Sequence, residues 1–217
     1  HGMLRESPFV RPSCARRAAP STIPNDVVVV LPARYVQRAQ PMQRSALAHL
    51  VHPDTLQPLE LDVTIERGGN VEEGALRIDG SAFTLARGIP MFVSADVAGD
   101  QTVQSFAQKW SQHKYYRTHT EGFYTQWYLD RYGFKDLAGL RALLSGRRFV
   151  LDAGTGAGRD AANFAANSDA TVYAVDTSLA ALSTFGEQDA AKRVSLVNAD
   201  VNRLPFADEF FDFVNCD

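Results

Sequence analysis

One stretch, Arg147-Arg-Phe-Val-Leu-Asp-Ala-Gly-Thr-Gly-Ala-Gly-Arg-Asp-Ala-Ala-Asn-Phe-Ala-Ala166, constrains the fold more than any other. Phe149-Val150-Leu151 is short and apolar, as a strand buried on both faces is. It runs into glycines at 154, 156 and 158 and leaves as helix-compatible sequence over 157–167. A strand that enters a glycine turn and exits as a helix opens a β-α-β unit. Glycines clear side chains from the approach to the backbone, and the first turn of a helix presents N–H groups without intrahelical partners. A carboxylate, a phosphate or another polar group fits against such a turn.

The alternation continues downstream. Thr171 to Val175, Val194 to Val197 and Phe211 to Asn215 read as strands, and Leu179 to Gln188 reads as a helix. Upstream, Asp136 is a candidate cap for a helix carrying Leu137, Leu140 and Leu144 on one face. Strands and helices alternating through short connections imply an α/β fold, a Rossmann-like doubly wound parallel sheet. No internal repeat is present.

Spacing narrows the ligand. A dinucleotide fingerprint requires glycines at 154, 156 and 159, whereas position 159 is Arg and the third glycine is Gly158. Asp176 ends the second strand about 20 residues beyond the glycines, where an acid accepts both hydroxyls of a ribose. In isolation, an Asp followed by Thr177 and Ser178 would read as a helix cap. A third acid, Asp200, follows the third strand in Val194-Ser-Leu-Val-Asn-Ala-Asp-Val-Asn-Arg-Leu-Pro-Phe206.

The pattern Asp152-x-Gly154-x-Gly156-x-Gly158 resembles the first motif of class I S-adenosylmethionine-dependent methyltransferases. The resemblance implies that the turn, Gly154, Thr155, Gly156 and Gly158, holds the methionine portion of that cofactor while Asp152 meets its amino group. A turn-stabilising role is the alternative for Asp152. The resemblance further places Asp176 and Thr177 at the ribose, Asp200 at the adenine amine and the Val201 N–H at a ring nitrogen. Leu204-Pro205-Phe206 and Phe211-Asp212-Phe213-Val214 are similar to the family's approach to its fourth strand. Asn215-Cys216-Asp217 stands where enzymes methylating nucleic-acid amines carry an Asn/Asp-Pro-Pro-aromatic signature, and its lack of prolines disfavours a nucleic-acid acceptor. A small-molecule acceptor is expected. Transfer from a sulfonium needs alignment and water exclusion more than a dedicated base, so no catalytic residue is assigned, although His113, Tyr115, Tyr116 and His119 stand in the expected cover of the site.

Residues 1–48, Arg-rich and acid-poor, read as an unstructured leader whose bias also matches organelle-import sequences. Residues 49–95 carry apolar runs, Leu59 to Ile65, Ala75 to Ile78 and Ala82 to Leu85, broken by glycines, as in a small antiparallel unit. With its closing Gly88-Ile-Pro-Met-Phe-Val93, this segment resembles the zinc-ribbon-like unit preceding many bacterial methyltransferase domains. That family's metal-binding cysteines are replaced by His52-Pro53-Asp54-Thr55 and Arg77-Ile78-Asp79-Gly80, so no metal is expected. His49 and His52 are expected to be an ordinary solvated pair. Phe106/Trp110, Phe123/Trp127 and Tyr124/Tyr128 share i,i+4 spacing, which predicts aromatic helices that pack onto the following domain or line the substrate side of its pocket.

Composition excludes little. Net charge is -3, and 45% apolar with 22% charged residues suits a packed core. Cys14 and Cys216 show no framework spacing, and no run approaches the ~20 apolar residues of a bilayer span, so a cytoplasmic setting without membrane partners is expected. Residues 101–217 are expected to be the cofactor-binding half of a methyltransferase domain, ending after its fourth strand and leaving one sheet face and edge bare. A nicotinamide-dependent oxidoreductase and a non-catalytic methyltransferase-like subunit are the competing readings. Oligomeric state is not legible.

Overall fold

The computed structural model describes residues 42–93, 101, 105, 121–185 and 193–216. Expectations on residues 1–41 and on Phe106, Trp110, His113, Tyr115, Tyr116 and His119 lie outside the described residues.

The described chain opens with β1 (Met42–Gln43) and α1 (Arg44–Leu47), followed by the antiparallel strands β2 (Glu60–Arg67), β3 (Asn70–Ile78), β4 (Ser81–Ala86) and β5 (Ile89–Pro90). The last four are joined by two-residue loops, Gly68-Gly69, Asp79-Gly80 and Arg87-Gly88, in which both residues have positive φ. That backbone matches the twist of the strands it joins, and glycine at the second position is what makes it accessible. Gly74 is required for another reason: β2 lies so close that a Cβ there would meet the Asp62 carbonyl oxygen at 2.3 Å. Part of the stretch expected to be leader, residues 42–48, forms β1, α1 and the residue that follows. Residues 42–48 are folded because Met42, Ala46 and Leu47 are buried and Met42 pairs with Val71.

Next come α2 (Glu121–Arg131), α3 (Leu137–Leu144), β6 (Phe149–Ala153), α4 (Arg159–Asn167), β7 (Thr171–Asp176), α5 (Leu179–Leu182), β8 (Val194–Asn198) and β9 (Phe213–Cys216). The Asp136 cap is present, its carboxylate accepting from Gly139 N at 3.1 Å. The helix expected over 179–188 shows four helical residues. Beyond them the Ser183 and Thr184 hydroxyls bond back to the Ala180 and Ala181 carbonyls, an alternative to continued helix, and residues 186–192 lie outside the described residues.

The four strands form a parallel sheet in the order β8-β7-β6-β9. Side chains alternate between its faces. Val150, Val172, Ala174, Val194 and Leu196 meet Tyr128, Leu140, Leu144, Phe164 and Leu182 of the helices. Leu151, Ala153, Tyr173, Val175 and Val197 face the opposite way, toward Met42, Leu47, Leu50, Val71, Leu76, Leu85 and the loop ring of Phe206.

That second face corrects an expectation. A doubly wound sheet carries helices on both faces, and a four-strand portion would leave one bare; here the antiparallel unit, α1 and the aromatic loop cover it at β6, β7 and β8, while Val214 and Cys216 of β9 are exposed on that side. Each fully buried Leu, Val or Phe in such a contact contributes about 1.5–3 kcal/mol, so the two sheets depend on one another. Polar ties fix the docking. Met91 pairs in parallel with Asn198, Phe92 N donates to Asn198 O at 2.7 Å and Val51 N to Pro205 O at 3.0 Å. Asp54 and Arg203 form an exposed ion pair between the two parts. No helix among the described residues is long and apolar enough to cross a membrane.

Candidate functional site

The glycine turn sits at the carboxyl end of β6, beside the point where the strand order reverses between β6 and β9. Open α/β sheets bind ligands at such a point. Gly154 N and Thr155 N both donate to Val175 O, at 2.9 and 3.0 Å, which pulls the turn over the end of β7. Gly154, Gly156 and Gly158 have φ of 75°, 55° and 78°, a region that other residues enter at a cost. A Cβ on Gly154 would meet nothing within 4 Å, so the turn has open space in front of it. At Gly158 it would fall 1.6 Å from the Phe185 ring, which packs directly on the glycine.

Gly158 is also the N-cap of α4 and has no side chain to satisfy that helix's first N–H groups. Asp152 does so from below. Its register with Val150 directs it to the helix face, where Oδ2 accepts from Ala161 N at 3.2 Å and from Thr155 Oγ1 at 2.6 Å. Its other oxygen accepts from Asn215 Nδ2 at 2.8 Å. Asp152 is 3% exposed. Burial pushes its pKa up to about 6, outweighing the bonds from Thr155, Asn215 and Ala161 that favour the charged form. The bonds of Asp152 thus run to the turn, to the first turn of α4 and to β9, the geometry of the turn-stabilising alternative.

Asp176 ends β7 half-buried. Oδ2 accepts from Gly156 N at 2.8 Å and Oδ1 from Ser178 N at 2.7 Å. Burial raises its pKa against both of these bonds. The cap of α5 is Ser178, whose Oγ accepts from Ala181 N, so Asp176 is not consumed as a helix cap. Behind it, buried Asn198 donates from Nδ2 to the carbonyls of Asp176 and Thr177, at 3.0 and 2.9 Å. This fixes the Asp176-Thr177 backbone.

Asp200 stands two residues past β8 and Val201 is exposed. The Asp200 carboxylate accepts from Asn202 N and Nδ2, at 2.8 and 2.9 Å, a local turn that leaves its other oxygen outside these bonds. The structure therefore brings Asp152, Gly154 to Gly158, Asp176, Thr177, Asp200 and Val201 to the carboxyl edge of one parallel sheet. Of their acidic side chains, that of Asp152 is the buried one.

Sequence reasoning missed the part played by two buried strand asparagines, Asn198 and Asn215. Tyr128 of α2, expected to pack onto the domain or line its pocket, is buried in the core and donates its hydroxyl to Asn215 Oδ1 at 3.3 Å. The available signal was a lone polar residue within an apolar strand run, read only against a motif that it does not match. Trp127 lies between two guanidinium groups, Arg131 at 5.0 Å and Arg159 at 5.3 Å from its ring centre, which ties α2 to the start of α4.

The two histidines diverge instead of forming a solvated pair. His52 Nδ1 accepts from the Asp54 and Thr55 amides. His49 packs against Phe149 and Phe210 and bonds Tyr173 Oη at 2.7 Å. Comparison with curated proteins returns no match for the chain. Residues 150–217, which span the glycine turn, Asp176, Asp200 and Asn215, match the family model described as the methyltransferase domain.

Proposed function

We propose that this chain binds S-adenosylmethionine at the carboxyl edge of its parallel sheet and transfers the methyl group to a small-molecule acceptor. The observation carrying the reading is the combination of the glycine turn, which has open space at Gly154, with a half-buried Asp176 one strand away. These features fit the cofactor. The raised Asp176 pKa marks a carboxylate short of charge compensation, and vicinal ribose hydroxyls are donors that supply it. On this reading the open space at the turn would take the methionine portion against backbone N–H groups, and Asp200 with the Val201 N–H would read the adenine edge. The family match over 150–217 supports the same reading.

The bound cofactor supplies an activated methyl group on a sulfonium. The chain's own residues bind, orient and exclude water. Asp176 fixes the ribose end, the turn fixes the methionine end, and Asp152 holds the turn in shape from behind. Catalysis on this plan comes from alignment of the acceptor with the methyl group, with no base assigned.

Isothermal titration of S-adenosylhomocysteine and of NAD into the chain tests the proposal. Saturable binding of S-adenosylhomocysteine without NAD binding is expected. Binding of NAD alone would overturn it in favour of an oxidoreductase, and binding of neither would favour a non-catalytic subunit.

A further inference from the structure

Three buried side chains form a directional series behind the turn. Tyr128 Oη on α2 donates to Asn215 Oδ1 on β9, and Asn215 Nδ2 donates to Asp152 Oδ1 on β6. Their exposures are 1%, 5% and 3%. Only the NH2 end of an amide can donate to a carboxylate, so the Asp152 contact fixes which way Asn215 points, and its oxygen is left for the Tyr128 hydroxyl. The remaining Asp152 oxygen carries both Thr155 of the turn and Ala161 N of α4. One buried carboxylate therefore links a strand, the cofactor turn, the first turn of α4 and, through Asn215, the helix α2.

We infer that Asn215 and Tyr128 are positioning residues for cofactor binding, which keep Asp152 charged and aimed at Thr155 and Ala161 so that the glycine turn holds its shape. The inference rests on the binding reading above. The need for such residues follows from Gly158. A side chain there would strike Phe185, so α4 has no cap of its own and takes one from Asp152. Only the charged carboxylate accepts freely at both oxygens, since a protonated one must place a hydrogen on one of them. Burial and the nearby Asp160 carboxylate oppose that charge, while Thr155, Asn215 and the Ala161 amide favour it. Asp160 is itself paired with Arg159, and Asp176 stands on the adjacent strand, in contact with Gly156. Asn215 is the donor that comes from outside the turn and α4, and Tyr128 orients it.

Two measurements on the whole chain test this, with Asn215→Leu and Tyr128→Phe as variants. The first follows the Asp152 carboxyl carbon by NMR through a pH titration. Wild type is expected to titrate near 6. Asn215→Leu is expected to bind the Asp152 proton tenfold more tightly or beyond, since a neutral donor to a charged acceptor is lost. Tyr128→Phe, which removes a hydroxyl and keeps the ring, should shift it in the same direction by less, and it carries the test should Asn215→Leu fail to fold. The second measures S-adenosylhomocysteine affinity against pH. Affinity is expected to fall on acidification through the Asp152 titration, at a higher pH in each variant than in wild type. An equal loss at every pH, or an unchanged Asp152 titration in both variants, would overturn the inference. Failure of wild type to bind at any pH overturns the binding reading instead, and the carboxyl titration still judges the Asn215–Asp152 link.

Discussion

Asp176 at the end of β7 accepts a hydrogen bond from the backbone N–H of Gly156, in the middle of the turn that leaves β6, at 2.8 Å. The residue proposed to grip the ribose thus also holds the turn proposed to grip the methionine portion. Asp176→Ala should free the Gly156 and Ser178 amides and remove a charged acceptor. A loss of about 10–100-fold in S-adenosylhomocysteine affinity is expected, the equivalent of ~1.5–3 kcal/mol for a hydrogen bond to a charged group. Asp176→Asn keeps one acceptor and should lose less. Calorimetric titration of the two variants checks the order, and unchanged affinity in Asp176→Ala removes Asp176 from the ribose site.

Gly158 carries two independent demands, a φ of 78° and the Phe185 ring where a Cβ would be. Gly158→Ala should therefore destabilise the chain by roughly 2–5 kcal/mol, since a left-handed backbone costs ~1–2 kcal/mol and overpacking ~1–3. Adding Phe185→Ala removes the clash and leaves the backbone cost. In urea denaturation the Gly158→Ala effect should accordingly be smaller in the Phe185→Ala background; equal effects in both backgrounds would show that the ring exerts no pressure on Gly158.

Asp152 makes stability depend on pH in the direction opposite to a salt-bridged carboxylate. Its folded pKa of about 6 lies above the ordinary carboxyl value of 3.8, so between these values the folded chain holds a proton that the unfolded chain has released. Through this group stability rises as pH falls from 7 toward 4. Relative to Asp152→Asn, wild type should gain on the order of 3 kcal/mol over that range. Denaturant midpoints of both proteins at pH 7 and pH 4 measure it, and parallel curves would mean that Asp152 does not titrate as its burial requires.

The Tyr173 hydroxyl, buried between the sheets, donates to Ala46 O at 3.0 Å and meets His49 Nδ1 at 2.7 Å. Its proton goes to the carbonyl, so Nδ1 is the donor in the second contact. Tyr173→Phe removes the acceptor of His49 Nδ1 and one of the donors to Ala46 O, which keeps the His49 backbone N–H at 3.3 Å, and should cost about 1–3 kcal/mol. Burial also lowers the His49 pKa, which disfavours the charged ring in the folded state. His49 therefore contributes stability above its unfolded value of about 6.5 that is lost as pH falls through that value toward the lowered folded one. A His49→Phe variant should lose this acid sensitivity, measurable as a flatter dependence of the thermal midpoint on pH between 7 and 5.

The parallel sheet is legible from sequence because β6, β7 and β8 are buried on both faces and read as apolar runs, and the turn is legible because three positive-φ positions admit little besides glycine. Asp176 is legible by its distance from those glycines. The inward direction of Asp152 follows from the period of two, since it shares a face with Val150, but a motif-based reading looks outward and passes over the register. Asn215 shares a face with Phe213 in the same way. Docking of the antiparallel unit is a different matter. It depends on Val71, Leu76 and Leu85 matching a sheet face formed by Leu151, Tyr173, Val175 and Val197 far along the chain, and no local pattern encodes that match. Asp200 looks the same in a ligand site and in a surface turn, because its Asn202 contacts are local in either case.

The joint core of the two sheets has a consequence for the order of synthesis. Val71, Leu76 and Leu85 leave the ribosome well before Tyr173, Val175 and Val197, the side chains that will cover them. At translation speeds of ~5–20 residues per second, a delay of roughly a hundred residues lasts about 5–20 seconds. Throughout that interval the nascent meander shows water an apolar face whose partner has not been made, a transient exposure of the type that chaperones meet and that slows folding of chains rich in distant contacts.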